Sequence, residues 1–179
     1  MEGVGDSINA KNAKWSFDGE VVNYFENHIS RSVPFYKEGH DLILEISDYF
    51  IKQDSITYEL GCSTGILSYK LSKRFGDEYG NFVGLDIVEN MISYAKKNYT
   101  NKNLSFEIAD IIEYKFNNAD VFISYYLLQF IRPSQRQFLI NKIYSSLNWG
   151  GALICFEKVR APDARFQDIF NCFYKEYKF

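Results

Sequence analysis

The stretch TYELGCSTGILSYKL, residues 57–71, decides the fold. An apolar run ends in an acid, turns through Gly61 and Gly65, and resumes with helical spacing. Two glycines with small side chains between them predict a tight strand-to-helix turn whose backbone comes close to a ligand. Gly61 supplies the turn, and Gly65 lets the helix start close to the sheet.

The chain around this turn alternates between the two elements. Upstream, Val21, Val22, Phe25 and Ile29 predict a helix over residues 17–29, broken at Pro34. Leu42, Ile43, Ile46, Tyr49 and Phe50 mark a second helix. From residue 55 on, SITYEL, NFVGLD, LSFEIA, VFISYY and GALICFEKV read as strands. Helices are predicted over 64–75, 89–98, 133–147 and 163–177, the third opened by Pro133. Residues 1–15 read as a flexible lead-in and 16–179 as one domain.

Strand-helix alternation with short loops implies a mostly parallel, doubly wound α/β sheet with helices on both faces. Ligands of such sheets sit outside the carboxyl ends of the strands, at the switch point beside the first strand. That places the loop after Leu60 at the centre of the site.

Composition narrows the function. The 179 residues are 46% hydrophobic and 18% aromatic, which fits a packed core and excludes disorder. A net charge of -3 argues against a dominant polyphosphate-binding surface. Lys70, Lys73, Arg74, Lys96, Lys97 and Lys102 read as the solvated faces of two helices. Cys62, Cys155 and Cys172 are widely spaced and form no C-x-x-C pair, which points to a reduced, cytoplasmic compartment. The longest apolar run, VFISYYLLQFI, is too short to span a membrane. His28 and His40 lack ligand spacing, so no metal is expected, and both read as surface residues.

Three ligand classes compete for the loop. A P-loop requires a lysine after its last glycine, and none follows Gly65. A dinucleotide fingerprint requires G-x-G-x-x-G, whereas Gly61 and Gly65 are spaced G-x-x-x-G. Glu59, two residues before Gly61, would repel a pyrophosphate but suits a cationic amino group. S-adenosylmethionine carries an ammonium and a sulfonium and no phosphate, and it fits best. Asp86 ends the second strand, where a carboxylate accepts from ribose hydroxyls; the alternative is a cap on the helix that follows. Asp110 is placed to accept from the adenine amine, with the Ile111 backbone against the ring edge, or else is a solvated turn aspartate.

The segments RSVPFY, ELGCSTG, LDIVENMI, ADI and LQFIRPSQRQFLINKIYSSLNWGGALICFEK together resemble the carboxy-S-adenosyl-L-methionine synthase family. The resemblance runs from about Phe17 to about Lys158. It implies a Rossmann-like class I methyltransferase fold with N-terminal helices. The implied reaction converts S-adenosylmethionine and prephenate to carboxy-S-adenosylmethionine, phenylpyruvate and water. The product serves wobble-uridine modification of tRNA through another enzyme, so no direct nucleic-acid contact is implied. A homodimer is implied as well. By the same resemblance Tyr36, Gly61, Cys62, Ser63, Asp86, Ile87, Asp110 and Ile111 contact the cofactor, with Cys62 a small loop residue and no nucleophile. Glu59 is an amino-group acceptor or supports one, and Arg31 is the candidate for a substrate carboxylate, or else a helix-end cation.

Two departures stand out. Tyr125, itself a candidate cofactor contact, occupies the frame where the family places an asparagine after the fourth strand and offers a hydroxyl but no amide. Residues 159–179 lack the Y-S-x-x-E-[IL]-x-x-K-R segment that supplies the family's arginine for the new carboxylate; Arg160 and Arg165 lie outside that pattern. The C-terminal strands of the fold are thus expected to be missing. That leaves GALICFEKV as an apolar edge, explained by a truncated or partly observed chain, a completing dimer or a degenerate relative, the first of these favoured. Two rival functions follow: a small-molecule methyltransferase, and a non-catalytic S-adenosylmethionine-binding remnant.

Overall fold

A computed structural model describes residues 10–11, 14–15 and 21–178. The lead-in expected over residues 1–15 lies outside these except for Ala10–Lys11 and Lys14–Trp15, two short strands paired antiparallel. Two helices follow, α1 (Val21–Ser32) and α2 (Tyr36–Ser47). Tyr49 and Phe50, read as helical, lie in the turn after α2.

The sheet strands are β1 (Ile56–Leu60), β2 (Asn81–Asp86), β3 (Leu104–Ile108), β4 (Ala119–Tyr125) and β5 (Leu147–Phe156). Between them run α3 (Ile66–Phe75), α4 (Glu89–Asn98) and α5 (Pro133–Ser146), and α6 (Ala164–Lys178) comes last. The five strands are all parallel, in the order β3-β2-β1-β4-β5. The chain therefore winds outward from β1 through β3 and then crosses back to β4. The switch point falls between β1 and β4, as the alternation predicts.

Pleat alternation sorts the core into two faces. On one, Val121, Ile123 and Phe82 meet Ile43 of α2 and Leu67 and Leu71 of α3, while Phe106 of β3 meets Ile92 and Ala95 of α4. On the other, Tyr58, Leu60, Leu85 and Phe122 meet Leu139 and Ile143 of α5. Each fully buried Leu, Ile or Phe here contributes about 1.5–3 kcal/mol relative to exposure.

β2 and α4 have the bounds read from the sequence. The other elements shift at one or both ends, two of them for clear local reasons. α3 starts at Ile66 and not Thr64, because Gly65 takes a left-handed φ of 80° and closes the turn. β5 begins at Leu147, four residues early, because Leu147 pairs with Ala119 and an irregularity between Ala119 and Val121 absorbs the Gly150–Gly151 step. Among the described residues β5 and β3 are the sheet's edges, and no helix is long and apolar enough to cross a membrane.

Candidate functional site

The carboxyl ends of β1, β2 and β3 converge on the turn after Leu60. Gly61 (φ 68°), Ser63 (φ 50°) and Gly65 (φ 80°) are all left-handed, so the backbone coils tightly. A Cβ on Gly65 would lie 2.5 Å from the Phe106 ring and 2.8 Å from Ala95, so only glycine lets α3 start this close to β3 and α4. The turn is fixed by Cys62 N–H donating to the Leu85 carbonyl (2.9 Å) and Gly65 N–H to the Cys62 carbonyl (2.8 Å).

Glu59, the penultimate residue of β1, is buried. One of its oxygens accepts from both the Ser68 backbone N–H (2.8 Å) and the Ser68 hydroxyl. Ser68 stands in the first turn of α3, so Glu59 caps that helix from the neighbouring strand and meets its positive dipole end. Burial pushes the carboxyl up to about 7 despite the two Ser68 hydrogen bonds, and the charge of Asp86 adds to the rise.

Asp86 ends β2 with both oxygens in use: Oδ2 accepts from Ser63 N–H (2.8 Å) and Oδ1 from Val88 N–H (2.9 Å). It thus ties the glycine turn to the start of α4. A carboxylate has about four acceptor positions, so Asp86 keeps acceptor capacity for a ligand. Burial raises its carboxyl, against the pull of these backbone donors. Ile87 beside it is exposed.

Asp110 accepts from Ile112 N–H (2.9 Å), and its carbonyl receives Glu113 and Tyr114 N–H. Ile111 buries its side chain with Leu60 and Leu85, and its carbonyl accepts from Lys142 (3.2 Å). Cys62 points inward against Ile92, Ala95 and Phe106, and burial lifts its thiol well above its ordinary range. A thiol so placed is inert.

Tyr36 opens α2 after Phe35, whose φ of 58° is left-handed. Its hydroxyl is raised first by burial and then by the negative charge of Glu59, and its ring lies 5.3 Å from that of Tyr125. Arg31 is exposed in the last turn of α1, where the dipole favours a cation. Tyr125 ends β4, and its hydroxyl donates to the Tyr36 carbonyl (2.7 Å).

The structure corrects one reading and adds two residues. His40 is not at the surface: it is 2% exposed, its ring packed at a tilt against Tyr36 and Tyr125, and burial pushes its imidazole down to about 3. Glu26 of α1 accepts from Thr64 of the turn (3.2 Å) and from Tyr99 (3.0 Å), joining the first helix to the loop. Glu157 caps the short helical turn after β4 by accepting from Leu128 N–H (2.6 Å). These contacts span 29 to 73 positions and carry no local pattern; only the acids' place beside apolar residues hinted at a buried use.

A family model described as a methyltransferase domain matches residues 58–151. The carboxy-S-adenosyl-L-methionine synthase of Sulfurimonas denitrificans is 37% identical, over 96% of this chain and 74% of that protein. The enzyme of the same name from a Nitratiruptor species is 42% identical, over 84% of this chain and 63% of that protein. The chain thus spans 63–74% of the length of these two relatives. Among solved structures, the plantazolicin methyltransferase BpumL in complex with a pentazolic desmethylPZN analog and SAH superposes with a TM-score of 0.63 at 16% identity, over 90% of this chain and 65% of that one. A TehB-like SAM-dependent methyltransferase from Corynebacterium glutamicum gives 0.58 at 17% identity, over 87% and 77%. The strand order, the glycine turn and these likenesses agree: the chain has the class I methyltransferase fold and belongs to the carboxy-S-adenosyl-L-methionine synthase family.

Proposed function

We propose that this chain binds S-adenosylmethionine and carries the cofactor half of a carboxy-S-adenosyl-L-methionine synthase. The observation that carries this is the set of acidic acceptors. Three carboxylates, Glu59, Asp86 and Asp110, stand at or just beyond the carboxyl ends of three adjacent parallel strands around a glycine turn. No lysine or arginine lies between residues 57 and 66. Such a set suits a cationic, phosphate-free nucleoside and would repel a dinucleotide.

In this reading Asp86 holds the ribose hydroxyls, Asp110 and the Ile111 backbone hold adenine, and Glu59 and Tyr36 attend the amino-acid end. Gly61, Cys62 and Ser63 line the turn, with Ile87 on the adenosine side. When bound, the cofactor supplies a sulfonium-activated carbon. The chain's own part is to hold its two ends and to screen water with Tyr36 and α2. Prephenate is the second substrate, with phenylpyruvate and water as the other products. The carboxylated product feeds wobble-uridine modification without this chain touching tRNA. The same reading includes a cytoplasmic homodimer and leaves Arg31 as the candidate for a substrate carboxylate.

A methyltransferase acting on a small molecule is the second reading. It is favoured by Tyr125, whose hydroxyl is engaged by the Tyr36 carbonyl where the family pattern has an amide. Mass spectrometry of the purified protein, incubated with S-adenosylmethionine and prephenate and then denatured, separates the two. A species heavier than S-adenosylmethionine by one carbon dioxide supports the synthase. S-adenosylhomocysteine supports the methyltransferase. A protein that takes up no S-adenosylmethionine overturns both.

A further inference from the structure

The contacts of Tyr125 are more than a strand end needs. Its hydroxyl reaches across to α2 and donates to the carbonyl of Tyr36 at 2.7 Å. Its ring lies 5.3 Å from the Tyr36 ring and 4.9 Å from His40, and those two rings are 4.6 Å apart. Phe156 of β5 packs against the ring at 5.4 Å. Space for Tyr125 exists only because residue 39 is glycine. A Cβ there would lie 2.3 Å from the Tyr125 hydroxyl oxygen and 3.1 Å from its ring. Gly39 is the fourth residue of α2 and has no positive φ, so its backbone does not call for glycine, and alanine would suit the helix better.

We infer that Tyr125 and Gly39 form a matched strut between β4 and α2 that sets where Tyr36 stands over the site, which makes Tyr125 a positioning residue and not a ligand of the cofactor. This rests on the proposal that Tyr36 attends a bound S-adenosylmethionine. The physical basis is separable from it. α2 begins at a left-handed, non-glycine Phe35, a conformation that costs energy and needs an outside anchor. The first carbonyl of α2 receives that anchor from Tyr125. A larger residue 39 would push the ring away, and a shorter residue 125 would leave the glycine face unfilled.

The test is a double-mutant cycle with two readouts. The first is the calorimetric Kd for S-adenosylmethionine. Tyr125→Phe, which loses one neutral hydrogen bond, is expected to weaken binding about threefold to tenfold. Tyr125→Asn, which also loses the ring, is expected to weaken it further. Gly39→Ala is expected to weaken binding alone and to do less harm when combined with Tyr125→Asn. In a Tyr36→Ala background the Tyr125 substitutions are expected to change nothing more. The second readout needs no cofactor: peptide-resolved nitration of Tyr36, expected to rise in Tyr125→Asn. Additive effects at 39 and 125, Tyr125 effects that persist without Tyr36, or unchanged nitration overturn the strut. A wild type that binds no S-adenosylmethionine sinks the functional reading instead, and nitration then decides the strut.

Discussion

In β1 (Ile56–Leu60) four of five residues are buried, whereas in β5 (Leu147–Phe156) only Ile154 is. The following helices differ in the same way. α3 buries Leu67, Ser68, Leu71 and Ser72, and α6 buries nothing. Yet α6 carries Phe166, Ile169, Phe170, Phe173, Tyr174 and Tyr177 at the spacing of one helical face, all of them exposed. The two regions are similarly apolar. What differs is neighbours: β1 has a strand on each edge and helices on both faces, while β5 has a strand on one edge only. Apolar patterning tells which residues need cover, and topology decides which receive it. Among the described residues α6 meets the rest of the chain by polar contact, Tyr177 donating to the Ser30 carbonyl at 2.9 Å.

The widest gap between the regions is in stability. Leu60→Ala removes a side chain with no exposure and should cost about 2–5 kcal/mol in urea unfolding. Equal losses from Leu60→Ala and from a substitution on α6 would break the comparison.

Two glycines sharpen it. Gly65 and Gly150 have nearly the same backbone, φ 80° and 81°. A Cβ on Gly65 meets Phe106 and Ala95, while on Gly150 it meets nothing within 4 Å. Gly150→Ala should cost about 1–2 kcal/mol of backbone strain alone. Gly65→Ala should cost about 1–3 kcal/mol more from overpacking. The difference between the two unfolding midpoints measures how tightly the first turn is built.

Titration offers a third handle. Glu59, held up to about 7 against an ordinary 4.5, binds its proton in the fold before it does in the unfolded chain. Its contribution is therefore full below pH 4.5 and lost as the pH rises through 7. His40, pushed down to about 3, does the reverse: its contribution is full above pH 6.5 and lost as the pH falls toward 3. Between 6.5 and 4.5 the two oppose each other, and Glu59→Gln removes one of them. Relative to the wild type, that variant should lose about 1.4 kcal/mol per pH unit as the pH drops from 7 to 4.5. Parallel pH profiles would show that the buried acid does not titrate in this range.

Asp86→Asn keeps the shape of the β2 end but sets an amide NH2 against one of its two backbone donors, Ser63 or Val88 N–H. Affinity for S-adenosylmethionine should fall about tenfold, and the unfolding free energy should fall by about 1–3 kcal/mol. At the bottom of the scale, Phe170→Ala on α6 should stay within about 0.5 kcal/mol of the wild type. A larger loss in Phe170→Ala would mean that α6 finds cover in solution.

The sequence by itself determined the parallel α/β sheet, the tight turn at Gly61 and Gly65, and the place of Asp86 and Asp110 near strand ends. These follow from short-range rules: period, chirality of the crossover, and the backbone freedom of glycine. β2 and α4 were legible to the residue because sharp signals bound them, Asp86 and Glu89 among them. Only the tertiary structure decided how these groups are used. It turned Cys62 inward, buried His40, made Glu59 a cap for α3, drew Glu26 to Thr64 and joined the Tyr125 hydroxyl to the first carbonyl of α2. Each of these contacts joins distant parts of the chain or depends on what packs over a strand end. No local pattern encodes that, because the same side chain is ligand, cap or core according to what stands opposite it.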